Sequence, residues 1–393
     1  MDLKDRQRFF LGLFFFLSGF CFASWASRIP TIKETFGYNE AELGTILLFM
    51  PISSLIGLPF SGWLVSRYDS RMPLAGGFLL LSFAILGIGF APTTALLIAA
   101  ISLLSFSFRI LNISLNTQAI HLQKQFGRKI NGAFHGLWST GGIAGVAFST
   151  LLVGLDVSMD FHLSVVAALT FLITLAGQRF LLRNDRAATG NRLLLGKPDP
   201  YIVYLGMMVF FAAICEGGMF DWGGVFFKEV VKVDIFTWGY LFFMISMALS
   251  RFASDRVVEK IGMRKTYFFS ALFIFVGVAL PVLLPQFWPS LIGFCFVGLG
   301  TASIIPMTFT LAGYSAKYSP GMAISIIATY SIMGMLIGPP LIGYLAHAFD
   351  LRLSFITFAL AGLMLIPITR LFFRHVQKTG VAGSGVNLNE GSG

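Results

Sequence analysis

Arg109, Asn112 and Asn116 stand inside a long apolar run of this chain, where a charge costs about 3 kcal/mol on insertion scales. With Ser105 they are spaced 4, 3 and 4, which places all four on one stripe of a helix. A guanidinium and two carboxamides in line can hold a small polar molecule by hydrogen bonds and charge. The same stripe can instead form a polar seam with a neighbouring helix. Glu216 is the one acid well inside another apolar run. A carboxyl group in a low dielectric can take up and release a proton, which suits coupling; beside Gly217 and Gly218 it could also bond to backbone. Asp221, nearer the end of that run, is a second proton-coupling candidate, or a gate or cap. His135 and Trp138 share a face with Gly142. A histidine can change charge near neutral pH, and an indole offers a flat plate for a sugar ring. Helix packing is the competing role for both. Trp25 lies on a stripe with Ser18, Cys21 and Arg28, which either faces inward with polar neighbours or joins an interfacial aromatic belt.

The surrounding elements follow from composition. Of 393 residues, 56% are hydrophobic and 12% charged, against about 25% charged in soluble chains. That excludes a water-soluble fold and extended disorder. Cys21, Cys215 and Cys295 all sit in apolar runs, so a disulfide scaffold is excluded as well. Apolar runs occupy 9–29, 42–65, 72–91, 94–118, 131–154, 161–182, 201–223, 235–250, 266–284, 288–314, 320–346 and 352–373. They are continuous, not alternating, so a β-barrel is excluded. A membrane crossing takes about 20 residues, and the twelve runs predict an all-α polytopic membrane protein. The first run reads as a span and not as a cleaved leader. With the N-terminus in the cytoplasm, Arg28, Lys33, Lys228, Lys232 and Arg352 fall on the far side and Arg109 inside a span. The other Lys and Arg, including a cluster from Arg251 to Lys265, fall on the cytoplasmic side, the bias that sets topology. Both termini are then cytoplasmic, and the net charge of +10 is topological. No basic soluble module is present to bind nucleic acid.

Residues 183–199 are polar and basic and divide the chain into a six-helix bundle at 1–182 and another at 200–375, followed by a disordered tail at 376–393. The loops after the second and eighth runs are alike. Arg67, Asp69 and Arg71 in the first answer to Asp255, Arg256, Gly262, Arg264 and Lys265 in the second. Parallel six-span repeats are a transporter architecture.

The second loop resembles the major facilitator superfamily signature G-x-x-x-D-R-x-G-R-R/K; in the first, Ser66 stands at the Asp position and Asp69 at the Gly position. The resemblance implies the twelve-helix major facilitator fold and a cytoplasmic latch built from Asp255, Arg256, Gly262, Arg264, Arg67 and Arg71. It also implies that spans one, four, seven and ten line a cavity, which places Arg109, Asn112 and Asn116 against a substrate. Ala23-Ser24-Trp25-Ala26-Ser27-Arg28-Ile29-Pro30, Asn112-x-x-x-Asn116-x-Gln118 and Glu216-Gly217-x-x-x-Asp221-Trp222 resemble the MosC/YbjJ-like, fucose-permease-related branch. There an acid often stands where this chain has Asn112. The branch implies a sugar-like, polyol or amine-bearing substrate.

No G-x-x-x-x-G-K-[ST] loop, no metal-ligand spacing and no catalytic triad is present, so no cofactor, metal or enzymatic activity is expected. Glycines in runs five and eleven (Gly141, Gly145, Gly334, Gly338) read as hinges where the two halves meet. The expected protein is a monomeric secondary transporter of the inner (plasma) membrane, surrounded by lipid, moving a small polar molecule by alternating access with protons. The alternatives are an efflux protein for amphipathic compounds and a non-transporting receptor or lipid-handling protein.

Overall fold

In hydrocarbon every backbone N–H and C=O must find a partner within its own segment, so uninterrupted apolar runs become helices. The computed structural model describes residues 2–126, 130–183, 199–318 and 320–379, and contains helix and no strand among them. The chain divides into two units, Met1–Tyr38 with Ile46–Arg192, and Asn39–Thr45 with Leu193–Gly393. Most of the segment expected to link two bundles, 184–198, lies outside the described residues, as does 380–393.

The first unit is built from α1 (Leu3–Ala26), α2 (Ile29–Phe36), most of α3 (Glu40–Arg67), α4 (Arg71–Gly89), α5 (Thr94–Gln123), α6 (Asn131–Gly154) and α7 (Met159–Gly177). The break between α1 and α2 has a local cause. Pro30 lacks an N–H and sits at the start of α2, where none is needed. Ser27 meanwhile turns its hydroxyl back to the Ala23 carbonyl at 2.7 Å.

The second unit holds α8 (Pro200–Phe226), α9 (Trp238–Ile261), α10 (Met263–Leu283), α11 (Phe287–Thr301), α12 (Ile304–Ala312), α13 (Pro320–Ala348), α14 (Leu351–Ser354) and α15 (Ile356–Thr379). A single π-helical turn, Phe227–Val231, extends α8. Eleven segments among the described residues are long and apolar enough to cross a membrane. The remaining one of the twelve expected spans, the eighth, is α9, which is 24 residues long but carries charges through its second half. Hydropathy ends that run at Ser250, whereas the helix continues to Ile261. Residues 376–379, expected to lie in the tail, belong to α15, which runs to Thr379.

The two units pack their helices in the same pattern. In the first, α1 lies on α6, and α4 on both α5 and α7. In the second, α8 lies on α13, and α10 on both α11 and α15. Small residues make the closest of these contacts. A Cβ at Gly19 would collide with the Trp138 carbonyl, and one at Gly141 with the Phe16 carbonyl. A Cβ at Gly145 would come within 2.5 Å of the Phe20 carbonyl, and one at Gly334 within 2.5 Å of the Phe210 carbonyl. The glycines expected as hinges between halves are therefore the surfaces on which helices of one unit touch backbone to backbone, as association in lipid favours.

Gly262 ends α9 and starts α10 at φ 79° and ψ 156°, a region open essentially to glycine alone. Its carbonyl accepts from the Thr266 hydroxyl at 2.9 Å. The glycine of the loop signature thus has a backbone reason. Gly262→Ala is expected to cost about 1–3 kcal/mol as a lowered melting temperature in detergent. Gly76→Ala, where a Cβ meets nothing within 4 Å, should not. Equal melting of the two variants would remove the backbone argument.

Candidate functional site

The stripe on α5 falls into two halves with different surroundings. Its first half is a seam with α3: Ser105 donates to the Met50 carbonyl at 2.6 Å. Arg109 donates from Nε at 2.9 Å and from Nη2 at 2.6 Å to the Ser54 hydroxyl. Gly57 makes room for the arginine stem, since a Cβ there would lie 3.3 Å from Arg109 Cβ. Its second half faces away from the seam. Asn112 is exposed and Asn116 half-buried, and Asn116 Nδ2 donates to the Asn112 carbonyl at 2.7 Å. Of the two roles considered for this stripe, the seam with α3 is present in its first half. Two turns beyond Asn112, Gln118 is 1% exposed. It donates to the Ser70 hydroxyl at 2.8 Å and the Leu182 carbonyl at 3.0 Å, and accepts from the Leu182 N–H at 3.0 Å. That side chain ties α5 to the start of α4 and the segment after α7.

His135 is exposed on α6, its ring 5.7 Å from that of Phe15. Trp138 is half-buried beside Phe22, with ring centres 6.3 Å apart. Trp25, expected to face a cavity, is 2% exposed and offers no surface to a substrate in this structure. Arg28, expected on the far side of the membrane, is 4% exposed. It donates to His162 Nδ1 at 2.9 Å and to the Val157 carbonyl at 2.9 Å. An acceptor Nδ1 leaves the proton of neutral His162 on Nε2. Nothing in the spacing of either run pairs these residues.

In the second unit Glu216 has a partner that the hydropathy profile concealed. Arg251 Nη2 lies 3.1 Å from Glu216 Oε1. Hydropathy places Arg251 in the basic cluster after the eighth run; in the fold it sits within α9 and is paired there with an acid of α8. The signal was available: Tyr240, Met244, Met247 and Arg251 are spaced 4, 3 and 4, and the first three are at most 2% exposed. The pair is incompletely satisfied. Glu216 Oε2, Arg251 Nε, Trp222 Nε1 and the Tyr240 hydroxyl are buried with no hydrogen-bond partner among the described residues. Asp221 is half-buried on α8 next to Phe220, whose ring stands edge-on to Tyr240 at 5.7 Å. A charge pair with free lone pairs and donors in a low dielectric responds strongly to a proton or a polar ligand.

Of the loop residues, Arg67, Arg256 and Arg264 are exposed and Arg71 half-buried. Asp255 lies in α9, and its side chain falls outside the described residues. In the first copy Asp69 accepts from the Met72 N–H at 3.3 Å and so caps α4. No group of three or more His, Cys, Asp or Glu among the described residues could hold a metal.

Long apolar helices in two like-packed units, with paired charges and amides carried on the spanning segments, define a multi-pass membrane transporter. The sequence matches the Major Facilitator Superfamily over residues 9–316 and 201–387. It is 30% identical over 349 residues to an MFS-type transporter of Yersinia pestis, spanning 87% of this chain and 90% of that one. Identity to the membrane protein MosC of Rhizobium meliloti is 27% over 365 residues, 92% of this chain and 89% of that one. Its fold resembles a bacterial homologue of the human lysosomal transporter Spinster, inward-facing and unoccupied, with a TM-score of 0.78 at 14% identity over 96% and 98% of the two chains. The nucleoside transporter NupG gives 0.77 at 15% over 95% and 100%. The chain belongs to the major facilitator superfamily, resembles its MosC branch, and is a secondary transporter.

Proposed function

We propose that this transporter moves a small polar, sugar-like metabolite across the inner membrane by alternating access, drawing on protons. The observation that carries this reading is the Glu216–Arg251 pair, an acid inside a spanning helix with one oxygen engaged and the other free. A proton taken up at Oε2 neutralises the carboxyl group and frees Arg251 for water or ligand. Loss of that proton restores the pair. If one open state favours the paired form and the other the protonated form, proton movement is tied to the conformational change. The exposed amide face of Asn112 and Asn116, with His135 and Trp138, supplies the hydrogen-bonding and stacking groups for a hydroxylated molecule. Both termini and the loop charges around Asp255 and Arg67 lie on the cytoplasmic side, where they latch the helix ends in one state and release them in the other.

The full chain, purified and screened by thermal shift against sugars, polyols, amines and nucleosides, should be stabilised by about 2.7 kcal/mol at a ligand concentration of 100 Kd. Reconstituted into liposomes, it should accumulate that ligand when the interior is made alkaline and lose it when a protonophore collapses the gradient. Flux indifferent to the gradient would overturn the coupling, and a stabilising ligand that never crosses would overturn transport.

A further inference from the structure

Arg28, Arg109 and Arg251 do not balance their charge by the same means. Arg251 has Glu216. Arg28 has no acid at ion-pair distance among the described residues, but it is buried and engaged by His162 and the Val157 carbonyl. Arg109 differs from both. No carboxylate among the described residues comes within ion-pair distance of it. Among the described residues its one hydrogen-bond partner is the neutral Ser54 hydroxyl, which receives both Nε and Nη2. A guanidinium has five N–H donors, so Ser54 fixes its orientation and leaves the outer edge of the fork free. That side chain is half-buried, and Asn112, one turn along the same stripe, is exposed.

We propose that Arg109 is an anion-binding subsite and that the transported molecule carries one carboxylate beside its hydroxyl groups, as a sugar acid does. The inference rests on the reading that the α5 stripe contacts substrate, and it narrows that substrate from polar to anionic. A cation kept in a spanning helix without a counter-charge is balanced when the ligand brings one. The planar fork matches a carboxylate bidentately. The Asn112 carboxamide, offering a donor and an acceptor on the next turn, takes a neighbouring hydroxyl. Arg109 is the one Lys or Arg in α5, and one cation balances a carboxylate better than a phosphate dianion.

The test uses the purified full chain and matched probes: D-glucuronate and D-gluconate, D-glucose and myo-inositol, glucosamine, and glucose 6-phosphate. Thermal shift should detect the two carboxylates and not their neutral or amine counterparts. Arg109→Met should weaken that binding about ten- to a hundredfold, the loss of a charge-assisted bond. Arg109→Lys should recover part of it, since it keeps the charge and loses the fork. Both variants should elute and melt as folded protein, because an apolar or flexible side chain replaces an unbalanced cation. Stabilisation by the neutral compounds equal to that by the carboxylates, preference for the phosphate ester, an unaltered response in Arg109→Met, or no response to the carboxylates would each overturn the inference. Counterflow of a neutral polyol in liposomes, unchanged in Arg109→Met, would overturn it while leaving the transporter reading of the preceding section intact.

Discussion

Glu216→Gln is expected to abolish accumulation driven by a pH gradient and to leave counterflow in place. Glutamine reproduces the shape of the protonated acid and cannot release a proton, so the pair with Arg251 at 3.1 Å no longer switches. Exchange of substrate for substrate needs no net proton movement and continues. Arg251 provides the complementary measurement. Arg251→Met leaves the Glu216 carboxylate without its cation, and breaking a buried pair from one side costs about 3–5 kcal/mol. The lower end applies here, because the Arg251 side chain is 29% exposed against 9% for Glu216. Combining Glu216→Gln with Arg251→Met removes both charges and should recover most of the lost melting temperature, a coupling that a double-mutant cycle isolates. Accumulation by Glu216→Gln at the wild-type level would make the pair a structural tie and move the coupling role to His135.

Gly141→Val should leave little folded protein. The glycine lies where α6 meets α1, and even a Cβ would collide with the Phe16 carbonyl. A backbone oxygen cannot move aside as a flexible side chain can. The two helices must separate along a seam that also brings Gly19 onto the Trp138 carbonyl and Gly145 onto the Phe20 carbonyl. Overpacking costs about 1–3 kcal/mol in ordinary cores and more where no side chain can yield. Size-exclusion chromatography in mild detergent should show aggregate in place of the monodisperse peak. Gly132→Ala, on the same helix with nothing within 4 Å of the added carbon, should elute normally and gain about 0.5–1 kcal/mol of helix stability. A normal Gly141→Val peak would mean that the α1–α6 contact is looser than described.

The sequence by itself determined the class of molecule, eleven of the spans, and the face of α5 that carries Arg109, Asn112 and Asn116. It also singled out Glu216 as an acid where acids are rare. Each of these is local: composition decides what lipid accepts, and helical spacing decides which residues share a face. What that face meets is not local. Glu216 and Arg251 are 35 residues apart, and Arg28 and His162 are 134 apart. Such pairs depend on how two helices are rotated and which turns come level. Hydropathy also ended the eighth span at Ser250, because a charge facing a buried partner scores like a charge facing water. The tertiary structure decided that Arg251 belongs inside the second unit, that Trp25 is buried, and that the α5 stripe is half seam and half open surface. The physical reason is the same in every case: a helix sets the direction of its own side chains, and its neighbours decide what lies in that direction.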